Sequence, residues 1–214
     1  GSVELQRHMN EENNKENKER FCNILTATAR ENMDYVLEDL QDMGFFDAPA
    51  SSAGHYSYPG GLVAHSLNVY DAAMAIRSTA IAMRPDIEAQ LPEDSVAIAA
   101  LLHDVCKTDL YVRAVRKRRN EIGVYEAQEI YEIHDENFPV GHGEKSAMIL
   151  LRSGLDLSDD ELCAIRWHMG PWNLSKDDEK FYRQAGKRSP LAPLIHTADT
   201  MASSLLERPS ISLK

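Results

Sequence analysis

Apolar positions first recur at helical spacing from Phe21. Phe21, Ile24, Leu25, Val36, Leu37 and Leu40 follow at mostly three- and four-residue steps, which predicts a helix ended by Gly44. Ahead of it, residues 1–9 read as an expression-tag remnant. Residues 10–20 hold no apolar side chain and form either a charged N-terminal tail or the solvated start of that helix. Residues 48–61, rich in Pro, Ser and Gly, predict a loop. A second helix is expected from about Leu62 to Met83, with Leu62, His65, Val69 and Ile76 on or near one stripe, and Pro85 and Pro92 bracket a short connection. Asp94 or Ser95 is then placed to cap residues 96–106, a segment apolar almost all round and therefore central.

Between Leu110 and His134 the period changes. β-Branched and aromatic residues alternate in part on either side of Asn120–Gly123, which predicts a hairpin. Helical spacing returns over Gly143–Arg152 and stops at Gly154. Ser158 with Glu161 three positions on is a capping-box pattern for a segment running to Met169, and a last helix spans Leu191 to about Leu206. The expected architecture is all-α: a helical bundle with a small β-hairpin excursion near 110–134, one domain over 21–206 and a C-terminal tail over 207–214.

Charge changes the picture by exclusion. Across 214 residues, 34 acidic against 23 basic side chains leave a formal net charge of −11, which argues against a general duplex-DNA binder. No run of about 18 apolar residues exists, so no membrane span is expected. Cys22, Cys106 and Cys163, odd in number and scattered, read as reduced thiols of a cytoplasmic protein.

The sharpest chemistry is His103-Asp104 at the end of the most apolar segment. Burying an ionised aspartate there costs several kcal/mol without compensation, which a divalent cation supplies. An isolated His-Asp pair most often only closes a helix with a hydrogen bond. Here, however, His65, His142, His168 and Asp199 lie in other expected helices, at intervals of 38, 38, 26 and 31 residues through the series 65–103, 104–142, 142–168 and 168–199. Each interval lets one helix return beside another, so inward positions can meet at one level of a bundle.

The order H…HD…H…H…D resembles the HD superfamily of metal-dependent phosphohydrolases. Gly60-Gly61-Leu62-Val63-Ala64-His65 precedes it and Val105-Cys106-Lys107 follows the His-Asp pair; the resemblance covers about residues 59–204. Residues 138–146 resemble a subgroup common in gut bacteria. Similar His-Gly and Gly-His elements occur in the HD domain of bacterial 3′–5′ exoribonucleases, whose added oligonucleotide-binding domain has no room in this chain. The resemblance implies metal ligands His65, His103, Asp104 and Asp199, joined in two-metal members by His142 and His168 with Asp104 bridging. It also implies a metal-bound hydroxide attacking a nucleotide or related phosphate ester. Imidazole and carboxylate ligands suit one or two of Fe, Mn, Zn, Co or Ni. Two other readings stand beside it: a mixed-valent di-iron oxygenase, which the same ligand set supports, and a non-catalytic nucleotide-sensing module, a type that usually loses the ligands this chain retains.

Lys107, at a position the family uses, is expected to face a substrate phosphate; otherwise it meets the helix macrodipole. Lys145 and Arg166, each within three residues of a candidate ligand, either reach a phosphate or are solvated. His55 and Tyr58 are expected at the cleft mouth, and His196 is either an outer partner of the site or a core histidine. Arg113, Arg116, Lys117, Arg118 and Arg119 concentrate positive charge that fits a nucleotide or a short single strand. The alternative, cross-strand pairing with the acidic strand opposite, is favoured.

Overall fold

The computed structural model describes residues 1–209, which form eight α-helices and one antiparallel hairpin. The tail expected over 207–214 lies, from residue 210 on, outside the described residues. Helix α1 (Ser2–Ala27) takes up the charged stretch as helix and anchors through Phe21 and Leu25, both fully buried. The single helix expected from Phe21 to Gly44 is instead two. Thr28 turns its hydroxyl onto Leu25 O at 2.6 Å, and Ala29 and Asn32 adopt positive φ of 55° and 65°. Asn tolerates the left-handed region, and here its amide also bonds Gly154 O at 2.9 Å. Helix α2 (Met33–Met43) follows and ends at Gly44, as expected, with φ 91°.

The loop over residues 48–60 leads into α3 (Gly61–Met83). A Cβ on Gly61 would sit 2.0 Å from Tyr56 O, so only glycine lets the loop cross this closely over the helix start. Helix α4 (Glu93–Leu102) is buried at every position from Val96 to Leu102. Neither Asp94 nor Ser95 caps it: Pro92 holds the N-cap, Glu93 and Asp94 meet the helix dipole from the first turn, and Ser95 donates to Glu161 at 2.6 Å. After Leu102 the chain tightens into a 3₁₀ turn over Val105–Asp109, with His103 and Asp104 at the junction.

The hairpin pairs β1 (Tyr111–Arg119) with β2 (Tyr125–Ile133), in register from Tyr111 opposite Ile133 to Arg119 opposite Tyr125. Helix α5 (His142–Arg152) precedes α6 (Asp159–Arg166), where both bonds of the Ser158–Glu161 capping box are formed. Helix α6 ends at Arg166 rather than Met169, so Trp167 and His168 stand in the turn beyond it. Helix α7 (Lys176–Arg188) is not foreseen in the hydrophobic pattern, because only Ala185 of its thirteen residues is buried. Helix α8 (Leu191–Met201) widens into a π turn over Ala202–Leu206 instead of continuing as α-helix.

The fold is mostly helical, with α3 packed on α4 and α8, and α6 on α4, α5 and α8. One apolar cluster joins α1, α2, the start of α3 and the end of α4; a second joins the middle of α3, the start of α4 and α8. Among the described residues no helix is long and apolar enough to cross a membrane.

Candidate metal centre

Four separate elements meet where α4 ends. His65 comes from the second turn of α3, His103 and Asp104 from the end of α4, His168 from the turn after α6, and Asp199 from α8. His65 Nε2 lies 3.3 Å from Asp104 Oδ2 and 3.1 Å from Asp199 Oδ1. His103 Nε2 lies 3.3 Å from Asp104 Oδ2 and 3.7 Å from Asp199 Oδ1, and His168 Nε2 is 3.2 Å from Asp104 Oδ1. Donor atoms of His65, His103 and Asp104 fall within 4.8 Å of one another, as do those of His103, His168 and Asp199. All but Asp199 are buried, and Asp199 is half-buried.

The far side of each ring decides what its near side offers. His103 Nδ1 lies 2.7 Å from Ala100 O, and His168 Nδ1 lies 2.7 Å from Ile165 O. A carbonyl oxygen only accepts, so each Nδ1 carries a proton and Nε2 is the nitrogen left to serve the centre. Both histidines sit where a helix stops and the carbonyl three residues back is available. His65 Nδ1 faces a carboxylate, Glu207, with both oxygens at 2.9 Å. Three imidazoles therefore aim the same nitrogen at two carboxylates.

Among the described residues, His103 Nε2, His168 Nε2 and Asp104 Oδ1 are buried without a hydrogen-bond partner. Buried polar atoms are rarely orphaned, and several converging on one point fit a cation. Burial works against charge on His103, yet Asp104 and Asp199 outweigh it and raise its pKa to about 9, so a cation bound at Nε2 would take the place of the proton these carboxylates favour there. Burial likewise opposes ionisation of Asp104, but His103 and Lys107 hold it well below the usual carboxylate range. The centre is thus arranged around two ionised carboxylates. Imidazole nitrogen and carboxylate oxygen without thiolate form a donor set for a divalent transition metal.

His142, expected among the ligands, opens α5 and is half-buried beside these groups without joining either. Its Nδ1 is also buried and unpartnered, and burial lowers its pKa. Lys107 places Nζ 3.2 Å from Asp104 Oδ2 and donates to Ala50 O at 3.2 Å. Lys145 is buried against Asp109 at 2.6 Å, and Arg166 pairs with Glu144 at 2.6 Å and stacks on Trp167, so the charge of each is already engaged. His55 sits 3.6 Å from Glu207 at the loop. His196 bonds the His168 backbone oxygen at 2.8 Å and so supports the turn that carries that ligand. In the hairpin, Arg116 pairs with Glu132 at 2.6 Å, while Arg113 and Arg118 border a groove.

A family model, the HD domain, matches residues 62–203. The chain belongs to the HD domain family. No curated protein and no solved structure matches it. HD domains are generally metal-dependent hydrolases and bind divalent metals, which agrees with the donor set found here. All five converging residues of this HD domain lie inside the matched span. Glu207, which the hydrophobic pattern assigned to a tail, lies outside it.

Proposed function

We propose that this HD domain is a metal-dependent phosphohydrolase that cleaves a nucleotide or related phosphate ester. The supporting observation is the common orientation of His65, His103 and His168, each anchored through Nδ1 with Nε2 turned toward Asp104 and Asp199. These five residues would hold the metal, with His142 beside them for a second. When bound, a divalent transition cation supplies Lewis acidity at a phosphoryl oxygen and a water whose pKa falls toward neutrality.

The chain's own groups do the rest. Asp104 draws the three imidazoles together, and the Lys107 ammonium against it offsets negative charge where an anionic substrate approaches. Apart from the five donors, none of which lines it, the loop over 48–60 and the hairpin border a groove of about 490 Å³ with Tyr58, Arg113, Arg118, Glu129 and Tyr131 on its walls. The Arg113 and Arg118 guanidinium groups there complement the part of an anionic substrate that extends beyond the centre. A short single strand fits the same chemistry, whereas the net charge of −11 opposes duplex DNA.

Elemental analysis of the purified protein, followed by a panel of nucleotides and diesters with Fe, Mn, Zn, Co and Ni, tests this function. Stoichiometric metal and hydrolysis abolished by Asp104→Ala are expected. Protein that holds no metal, or an Asp104→Ala variant as active as the wild type, would overturn the proposal.

A further inference from the structure

We infer that Glu207 is a positioning residue of the metal centre, holding His65 through Nδ1 so that Nε2 faces Asp104 and Asp199. The inference rests on the metal reading above but concerns a residue beyond the segment shared with the family.

The local backbone makes the case first. Helix α8 does not simply end. It widens into the π turn over Ala202–Leu206, closed by the Glu207 N–H donating to Ala202 O at 2.9 Å. Such turns are rare and occur frequently at functional sites. Here the turn reverses the usual sorting of side chains. Leu205 and Leu206 are 63% and 47% exposed, while Glu207 is 4% exposed. Burying a carboxylate and leaving two neighbouring leucines in water is unfavourable unless the carboxylate gains specific partners.

Those partners belong to the first ligand helix. Both Glu207 oxygens lie 2.9 Å from His65 Nδ1, and Asn68 Nδ2, one turn further along α3, donates to Oε2 at 3.2 Å. The same Asn68 amide lies 3.2 Å from the Tyr56 hydroxyl, which ties the network to the loop. His55 Nε2 approaches Glu207 Oε1 at 3.6 Å.

Why His65 alone requires an outside anchor follows from where it sits. His103 and His168 stand at helix ends and bond a carbonyl three residues back. His65 lies within α3, where the backbone carbonyls are committed to the helix ladder, so its Nδ1–H must find an acceptor elsewhere. A carboxylate on the far nitrogen fixes the ring and raises its basicity as a ligand, and losing such a partner typically weakens metal binding about 10–100-fold.

The test compares Glu207→Ala and Glu207→Gln with the wild type by chelator competition using Zn²⁺ and Mn²⁺. It adds imidazole ¹⁵N–¹H spectra of the metal-free proteins, with folding followed by circular dichroism. Glu207→Ala should bind metal about 10–100-fold more weakly at unchanged stoichiometry and lose the protected His65 Nδ1–H signal. Glu207→Gln keeps an acceptor oxygen and should retain that signal with a smaller loss of affinity. If the alanine variant does not fold, the glutamine variant's spectrum and affinity decide. Unchanged affinity together with an unchanged His65 signal in a folded variant would overturn the inference. So would the loss of a whole metal equivalent in Glu207→Gln, which would make Glu207 a ligand. Should the wild type bind no metal, the metal reading fails, while the metal-free spectra still show whether Glu207 holds His65.

Discussion

Two buried carboxylates in this protein differ in one respect that separates structure from site. Glu161 accepts from Arg30 Nη1 and Nη2 at 3.0 and 2.7 Å, from Ser95 Oγ at 2.6 Å and from Ser158 N at 3.0 Å, so its oxygens are satisfied. Asp104 faces three imidazole nitrogens and Lys107 between 3.2 and 3.3 Å, yet its Oδ1 has no hydrogen-bond partner. Complete pairing marks Glu161 as a structural group. Burial opposes its ionisation, but the bonds from Arg30, Ser95 and Ser158 prevail and hold its pKa below the ordinary range. A carboxylate with a lowered folded-state pKa stabilises the fold above its unfolded pKa of about 4.3, and that contribution disappears as pH falls through the folded value. Arg30→Ala leaves the carboxylate buried with half its donors. With Arg30 only 27% exposed, we expect a loss of about 3 kcal/mol at pH 7. Thermal melts of both proteins from pH 7 to pH 3 check this: the gap in Tm should narrow below about pH 4. A gap of constant size would show that the pair contributes through packing rather than charge.

Ends of helices, more than their lengths, build the centre. His103 and His168 follow directly on α4 and α6, and α5 must lie close to the end of α6 for His142 to reach the same place. That approach depends on Gly143, where a Cβ would meet Arg166 O at 2.2 Å and Arg166 C and Cα at 2.7 Å. Gly143→Ala must therefore separate α5 from α6, at a cost of about 2–3 kcal/mol, and weaken metal binding with it. Gly186→Ala is the matching control. It lies in α7 with nothing within 4 Å of the added methyl and should stabilise by up to about 1 kcal/mol through helix propensity. Denaturant titrations of the two variants, with metal content measured alongside, test the contrast; equal effects would remove the special role of Gly143. Much of this scaffold is legible in the sequence where local signals suffice. The period along α3, the apolar run of α4, the Ser158–Glu161 box and the change of period into the hairpin all appear at the expected places. Features set by distant partners are not legible. The break between α1 and α2 depends on Asn32 reaching Gly154, the start of α4 on Ser95 being drawn to Glu161, and α7 presents charge on nearly every side. Glu207 is the extreme case: its partner His65 is 142 positions away, and a single acid after Leu205 and Leu206 carries no period.

Across the whole molecule, the converging donors come from α3, the ends of α4 and α6, and α8, spanning residues 65 to 199. A cation held among them would link four helices that otherwise meet through apolar packing and close interhelical approach. Its binding free energy would therefore add to the stability of the entire fold rather than to one loop, since ligands that bind only the folded state stabilise it by RT ln(1 + [L]/Kd). At a free metal concentration one hundred times Kd this is about 2.7 kcal/mol. For a chain of this size each kcal/mol shifts Tm by about 2–4 °C, so adding metal to stripped protein should raise Tm by about 5–11 °C. The donor set also orders the metals, since nitrogen-rich ligation favours Mn, Fe, Co, Ni or Zn over Mg. Differential scanning calorimetry of chelator-stripped protein with each ion, repeated on Asp104→Ala, separates a built centre from nonspecific binding to an acidic surface. The centre requires a transition-metal shift that is lost in Asp104→Ala. A shift of the same size in both proteins would trace the effect to the net charge of −11 instead.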